Sequence, residues 1–386
     1  MTRLSVDTTE SSFGPLAGVK VVELASVVMA PYAAELLGDL GAEVVKVEPP
    51  TGELARQYPG GRTPGMGPLF MNSNMNKRSV VCDLKSDGGR QDFFDLLAEA
   101  DIFVTNQRPQ ALTKLGISYD QIGERFPALV YCSAQGFRRG SAQYEQAAYD
   151  EIVQSAAGLT SAMDYLTGNP SCVPSIIADK LSSLAILGSA LAALHSRTVT
   201  GRGQEVNVPM VDTIFAFTMV EHLAGNTFAP PTGDGGYSIA FNVEHGDVRA
   251  SDGTIAIHPY SLQNMRDLLA AAGQEERMDT DPYFADWANT ATDGRKHVYE
   301  VVREVAPSLS VEEWATVCQK HSIPMALPVD IMDPLSNDYV REGDLLPEVS
   351  HSTEGDIRVR RYPVQFSGTP LTTYHEAPRL GGAVRH

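Results

Sequence analysis

The chain reads as an α/β protein: a doubly wound, parallel-sheet large domain followed by a smaller α+β domain. Three observations predict it. Short β-branched runs alternate with helically spaced apolar residues from Val19 to Ser133, the pattern of a sheet with helices on both faces. The first strand, helix and strand fit within about thirty residues, the length of a βαβ crossover. After a Gly/Pro break at residues 230–236 the style changes to short strands and separate helices. At 386 residues the chain also exceeds what one core organises, which favours two domains.

The elements follow in order. Residues 1–14 are polar and Ser/Thr-rich, a flexible lead. Val19 to Leu24 is a strand by β-branched content. Pro31 suits a first helical turn, Tyr32 to Leu40 has helical spacing, and Gly41 is its stop. Glu43 to Val47 is the next strand. Ser79 to Leu84 then reads as a strand, Gly88 to Ala98 as a helix and Asp101 to Val104 as a buried strand. Helical pieces at Pro109 to Leu115 and Tyr119 to Phe126 lead to a strand at Ala128 to Ser133. An amphipathic run from Ala148 to Ala157 and a turn at 167–170 precede a helix from Asp179 to about Thr198. Its Leu181, Leu184, Leu187, Leu191 and Leu194, with Ala and Gly between them, predict a buried helix. Gly201-Arg-Gly-Gln204 follows a helix and not a strand, so it is a tight turn and not a phosphate loop.

The large domain is thus expected over residues 15–205. Residues 206–236 form a linker helix, with Met210 to Leu223 at its heart, and a Gly/Pro loop that can serve as linker or mobile lid. A small α+β domain covers 237–325, with a strand at Thr254 to Ile257 and helices at Ser261 to Ala272, His297 to Val305 and Val311 to His321. Residues 326–386, with a strand at Ile357 to Arg361, are expected to return to the large domain.

Composition narrows the function. Hydrophobic content of 43% and charged content of 20% are those of an ordinary soluble protein. No run approaches a membrane span and the first residues lack an apolar signal core, so a cytoplasmic protein without a membrane partner is expected. A net charge of −18 argues against nucleic acid, while local basic groups and helix N-termini can still hold a phosphate-bearing ligand. Cys82, Cys132, Cys172 and Cys318 are widely spaced and read as reduced, buried thiols. The nine histidines form no ligand pair at helical spacing, so no metal is expected. The opening βαβ unit is Rossmann-like, but its strand runs into Ala-Ser-Val-Val-Met-Ala-Pro, without the glycine fingerprint of dinucleotide sites.

Two stretches carry chemistry. Asp179 ends a short apolar segment where a long helix begins. It reads either as an N-cap for that helix or as a nucleophilic carboxylate exposed at the end of a sheet. Residues 72–78, Asn-Ser-Asn-Met-Asn-Lys-Arg, read as a solvated loop. Alternatively Lys77 and Arg78 join Lys85, Asn106 and Arg108 in a phosphate clamp.

Beyond these readings, the sequence resembles the class III CoA-transferase family, which includes formyl-CoA:oxalate and carnitine-type CoA-transferases and is related to α-methylacyl-CoA racemases. The matching text runs from Pro-Leu-Ala-Gly-Val-Lys-Val-Val-Glu-Leu at 15–24 and Leu-Leu-Gly-Asp-Leu-Gly-Ala-Glu-Val-Val-Lys-Val-Glu-Pro-Pro at 36–50 to Asn-Lys-Arg-Ser at 76–79. It continues with Asp83-Leu-Lys85, Ala100 to Asn106, Ala148-Tyr-Asp150, Ala178-Asp179, Thr200 to Gln204 and Ser322 to Val329.

The resemblance implies that Asp179 accepts the acyl group, forming a mixed anhydride and then an aspartyl-CoA thioester, with Tyr149 and Asp150 beside it. It implies coenzyme A contacts at Val27, Val28, Lys85, Asn106 and Lys114, with Lys46 and Arg78 nearby. It also implies acyl-CoA and carboxylic acid substrates and an interlaced homodimer. Val28 stands where oxalate-type members carry Gln, and Pro49, Gln107 and Ala147 replace an Arg, an aromatic and a Lys found in some members. Medium apolar or small branched acids are therefore expected in place of oxalate, with Val28, Met29, Tyr149 and the 230–240 loop shaping the acyl pocket. A racemase on the same fold needs two acid/base groups, and Tyr149-Asp150 stands where family racemases hold a His-Asp pair. A non-catalytic acyl-CoA-binding protein would need Lys85 and Asn106 but not Asp179.

Overall fold

The computed structural model describes residues 14–241, 246–285, 292–371 and 374–382; the lead expected over 1–14 lies outside them except for Gly14. The chain divides into two compact units, one of Met1–Thr160, Cys172–Thr218 and Asp344–His386, the other of Ser161–Ser171 and Met219–Gly343. The division therefore falls inside a helix after Thr218 and again before Asp344, not at residues 205 and 325.

In the first unit the order is β1 (Lys20–Leu24), α1 (Met29–Asp39), β2 (Glu43–Glu48), the single turn α2 (Pro68–Met71), β3 (Lys77–Val81), α3 (Asp87–Glu99), β4 (Ile102–Thr105), α4 (Pro109–Leu115), α5 (Tyr119–Ile122), β5 (Val130–Gln135) and α6 (Asp150–Ala156). Then come α7 (Leu159–Thr167), α8 (Ile177–Thr200), β6 (Glu205–Pro209) and α9 (Met210–His222), of which α7 and α9 run on into the second unit. The six strands are parallel in the order β3-β2-β1-β4-β5-β6. Apolar residues on both strand faces explain why: Val21, Val44, Ile102 and Val130 join one core, while Val22, Val47, Phe103 and Tyr131 join the other. On the second face Phe103 meets Phe93 and Tyr131 edge-on, with ring centroids 5.7 and 5.1 Å apart.

Strand β6 is a correction, because residues 206–209 were expected to open the linker helix. Val206 and Val208 alternate with Asn207 and end at Pro209, too short a pattern to separate from the following helix. The strand extends the sheet beside β5, with Ser133 opposite Asn207. The preceding turn requires its glycines. Gly201 closes α8 at φ 71°, and a Cβ on Gly203 would lie 2.1 Å from the Leu129 carbonyl oxygen.

Helix α8 also differs from expectation. It begins at Ile177, two residues before Asp179. Its buried stripe is Ala178, Ser182, Ser183, Ile186, Leu187, Ala190 and Ala193, and Leu184 is 50% exposed. The small residues win because Ala30, Ala33 and Ala34 of α1 share their core, and close helix packing favours them over a Leu stripe. Although no membrane-length run was expected, α8 is long and apolar enough to span one by length and composition. Its Ala/Ser/Ile face packs with α1 and the sheet as a core helix does.

In the second unit β7 (Val248–Arg249), β8 (Thr254–Ile257), α10 (Leu262–Ala271), α11 (Arg277–Thr280), α12 (Pro282–Ala285), α13 (Thr292–Val305), α14 (Val311–His321), β9 (Met325–Ala326) and α15 (Asp338–Glu342) follow. A three-stranded antiparallel sheet, β7-β8-β9, packs on a core containing Leu268, Val301, Val302 and Trp314. The Trp314 indole donates to the Ala306 carbonyl at 2.8 Å. The hairpin β10 (Glu348–His351) and β11 (Gly355–Arg358) belongs to the first unit. All four thiols are free, with Cys82, Cys132 and Cys318 buried and Cys172 half-buried.

Candidate active site

The sheet reverses its winding between β1 and β4, the neighbours from which the chain proceeds in opposite directions. In open α/β sheets ligands occupy the crevice outside the carboxyl ends of the strands at that point. The loops after β1 and β4 meet there. Asn106 accepts the Ser26 N–H at 3.0 Å and donates to the Ser26 carbonyl at 2.8 Å. Val27 follows with φ 69°, a left-handed backbone that costs a β-branched residue on the order of 1–3 kcal/mol. Its N–H donates to Glu53 Oε2 at 3.0 Å, one of the contacts that hold it. Val28 caps α1 without a side-chain acceptor for the first-turn N–H groups, which leaves the positive end of that helix to a ligand oxygen.

The N-termini of α1, α6 and α8 are tied together beside this crevice. Ser183 donates to the carbonyls of Met29 at 2.6 Å and Asp179 at 2.8 Å. Asp150, buried at the first position of α6, reaches across to α8: its Oδ1 accepts the N–H groups of Ala178 at 2.8 Å and Asp179 at 3.1 Å. Its Oδ2 accepts from Gln154 Nε2 at 2.6 Å. Gln154 in turn accepts the Val173 N–H at 2.8 Å and donates to the Ser175 carbonyl. The helix is thus capped from outside by Asp150, and the N-cap role expected of Asp179 is not the one it plays.

Asp179 instead sits within the first turn of α8, half-buried, and its carboxyl makes no hydrogen bond or ion pair among the described residues. Burial first, then the charges of Asp150 and Glu151, push its pKa up to about 7. Tyr149, at the N-cap of α6, is 59% exposed. Tyr58 is held above the usual phenol range by burial and then by the charges of Tyr149, Glu53 and Asp179, so its hydroxyl lies in the field of the same carboxylate and stays protonated at neutral pH. Chemically this is a desolvated, unpaired carboxylate whose charge reaches a neutral phenol.

The other expected site residues separate. Lys85 lies in the loop after β3, at the carboxyl edge but two strands from the crevice, where its N–H donates to Asp83. Lys114 is exposed on the last turn of α4. Arg78 lies on the first half of β3, and its charge lowers the pKa of Glu99, the partner of Lys20; that is the amino edge of the sheet, opposite the crevice. Lys46 is fully buried, 2.6 Å from Glu23 and 3.3 Å from Glu53, and contacts no solvent-borne ligand. Residues 72–78 are not a solvated loop. Ser73, Asn74, Asn76 and Lys77 are buried, and the Lys77 ammonium meets Glu23, the Asn74 side chain and the carbonyls of Pro31 and Ser73. Lys77 therefore leaves the proposed phosphate clamp. Tyr58, Glu53 and Gln154 were not anticipated. Only Gln154 left a signal, the helical i, i+4 spacing from Asp150. Among the described residues no group of three His, Cys, Asp or Glu could hold a metal.

Comparison with known proteins bears on this geometry. Residues 16–383 match the family model described as CoA-transferase family III. The chain is 29% identical to an (R)-2-hydroxy-4-methylpentanoate CoA-transferase of Clostridioides difficile, over 95% of this chain and 92% of that protein. It is 26% identical to a cinnamoyl-CoA:phenyllactate CoA-transferase of Clostridium sporogenes, over 96% of this chain and 92% of that one. The solved structure of Rv3272 from Mycobacterium tuberculosis superposes with a TM-score of 0.80 at 25% identity, covering 96% of this chain and 98% of that one. With its six-stranded parallel sheet and its match over nearly the whole length, the chain belongs to CoA-transferase family III.

Proposed function

We propose that this CoA-transferase moves CoA from an acyl-CoA to a free carboxylic acid by way of Asp179. The Asp179 carboxylate attacks the thioester carbonyl and the C–S bond breaks, giving a mixed anhydride and CoA thiolate. The thiolate attacks the aspartyl carbonyl of the anhydride, releasing the donor acid and leaving an aspartyl-CoA thioester. The acceptor carboxylate attacks that thioester and expels the thiolate. The thiolate then takes the acceptor acyl group from the second anhydride and frees Asp179. Each step conserves the activated acyl bond, which is what covalent catalysis contributes here.

One observation carries this reading: a half-buried carboxyl without partners, its pKa near 7, stands at a helix start whose N–H donors Asp150 already occupies. A carboxylate placed only to cap the helix would take those donors itself. Raised basicity makes the anion a stronger nucleophile, and the Tyr58 hydroxyl is a donor for the developing oxyanion. CoA lies along the crevice bounded by Val27, Val28 and Asn106, with Lys85 and Lys114 as outer phosphate contacts. The names of the two CoA-transferases compared above, which act on a branched and an aromatic acid, and the absence of Gln at Val28 favour a medium-sized monocarboxylic acid over the dicarboxylic acids named for other relatives.

A homodimer accompanies this reading. Phe215 and Phe217 are 51% and 54% exposed on α9, apolar area that a partner subunit would cover; light scattering decides it. For the chemistry, CoA transfer from an acyl-CoA to a second, isotope-labelled acid is measured for the protein and for Asp179→Ala. The reading expects transfer by the parent and its loss in the variant; transfer at the parental rate by the variant rejects Asp179.

A further inference from the structure

A cavity of about 800 Å³ lies in the first unit between the loop 57–67 and residues Arg379 and Leu380, within the size range of small-molecule sites. The loop is closed on itself. A Cβ on Gly67 would lie 2.4 Å from the Tyr58 carbonyl oxygen, and one on Gly61 would lie 2.4 Å from that of Met66. Tyr58, at the base of this loop, lines the cavity and is the residue whose hydroxyl feels the charge of Asp179. Glu53, which holds the Val27 N–H at the crevice, also caps the turn 54–57 that leads into Tyr58, so the cavity starts from the segment that borders the crevice.

Its far wall is organised by one buried carboxylate. Glu354, with a side chain 2% exposed, accepts the Thr63 hydroxyl at 2.5 Å and the Thr63 N–H at 3.1 Å. It also accepts the Thr353 hydroxyl at 2.9 Å and the Arg379 guanidinium at 3.2 Å, and its own carbonyl accepts from Arg62. Arg379 donates further to the hydroxyls of Thr63 and Thr353, both at 3.0 Å. The turn that carries Glu354 is pinned by His351, whose Nδ1 accepts the N–H groups of Thr353 and Glu354 while Nε2 donates to the Ala377 carbonyl. Arg56, the other deep arginine of the lining, is neutralised by Glu48 at 2.7 Å. Arg379 lines the cavity with a side chain 45% exposed, and among the described residues Glu354 is the carboxylate that pairs with it.

We propose that this cavity receives the body of the carboxylic acid and that Glu354 determines which acids it takes, by masking Arg379 and holding it against Thr63. With the mask in place Arg62, exposed at the loop, is the one lining guanidinium without a carboxylate partner among the described residues, and the wall by Thr63 suits the uncharged body of a monocarboxylic acid. Without it, Arg379 becomes an unpaired guanidinium able to hold a second carboxylate. The inference rests on Asp179 as the acyl acceptor, since that places the acid's carboxyl at the Tyr58 end.

The test compares a six-carbon monocarboxylic acid with the six-carbon dicarboxylic acid as acceptors, with one acyl-CoA donor, in the parent, Glu354→Gln, Arg379→Ala and the double variant. Glu354→Gln keeps the size of the side chain and one acceptor oxygen, for Thr63, Thr353 and Arg379, while removing its charge and turning the second oxygen into an NH2 donor. Its ratio of dicarboxylate to monocarboxylate kcat/KM rises about tenfold, the worth of one charge-assisted contact, and Arg379→Ala in the same chain cancels the gain. An unchanged ratio in folded Glu354→Gln, or a gain that survives loss of Arg379, overturns the proposal. The same acids are titrated calorimetrically, so a protein that binds acids but transfers no CoA rejects the mechanism above and still decides Glu354. If Glu354→Gln does not fold, Arg379→Ala decides: it exposes the Glu354 charge, and monocarboxylate binding weakens severalfold while acyl-CoA binding holds. Equal binding by that variant and the parent counts against the proposal.

Discussion

Replacing Asp179 by Asn separates a nucleophile from a helix cap by stability alone. In the unfolded chain Asp179 titrates near 3.8, in the folded chain near 7. Between those values the folded state keeps a proton that the unfolded state has lost, so stability falls as pH rises, and the deficit is complete above about pH 7. At roughly 1.4 kcal/mol per pH unit the deficit has an upper limit of about 4 kcal/mol, and hydration of a half-buried group reduces it to about 2 kcal/mol. Asn carries no charge to bury. The variant is therefore expected to be more stable than the parent, by little at pH 5 and by the full amount at pH 8, where its Tm rises by roughly 2–5 °C. Thermal melts of both proteins across that range give the measurement. Were Asp179 a cap, Asn would be close to neutral and Ala would cost about 1 kcal/mol at every pH above the carboxylate range. A stability difference between parent and Asn variant that does not grow with pH refutes the reasoning.

Other perturbations follow from the same geometry. In the proposed mechanism transfer uses the Asp179 anion, so kcat/KM should rise with pH through about 7 and level off; Asp150→Asn removes one of the charges that raise this pKa and should move the limb toward lower pH, and a limb that stays in place contradicts the coupling. Asn106→Ala removes both contacts to Ser26 and should raise KM for acyl-CoA about tenfold with kcat less affected, as initial rates will show. Val27→Gly relieves a left-handed valine worth on the order of 1–3 kcal/mol but adds about 1 kcal/mol of unfolded-chain entropy. Its urea midpoint should hold or rise while KM for acyl-CoA increases; a marked loss of stability would show that Val27 is packed and not strained.

The parallel sheet was legible because Val-rich strands buried on both faces leave little else to predict. What stayed hidden has identifiable physical causes. Strand β6 offered only Val206 and Val208 before a proline, so an adjoining apolar helix absorbed it. The polar run 72–78 looked solvated because its burial depends on Glu23 and Pro31, contacts far away in sequence that local composition does not encode. Lys46 failed for the same reason: a buried carboxylate on the adjacent strand, not a ligand, holds its ammonium. At the candidate site, Asp179 and Asp150 were both singled out from the sequence, but the cap that Asp150 gives α8 was not. The sequence places a carboxylate near a helix start; only the packing of α6 on α8 shows that the cap comes from a different helix. Tyr58 sits in a glycine-rich loop without periodicity, and nothing local relates it to a residue more than a hundred positions later.

The central claim is covalent, and mass spectrometry of the enzyme quenched during turnover tests it most directly. With an acyl-CoA and no acceptor acid, the peptide containing Asp179 should gain the mass of CoA as a thioester, and hydroxylamine should convert it to the hydroxamate. The same peptide should be unmodified in Asp179→Ala. A chain that transfers CoA at full rate while that peptide stays unmodified throughout would contradict the account.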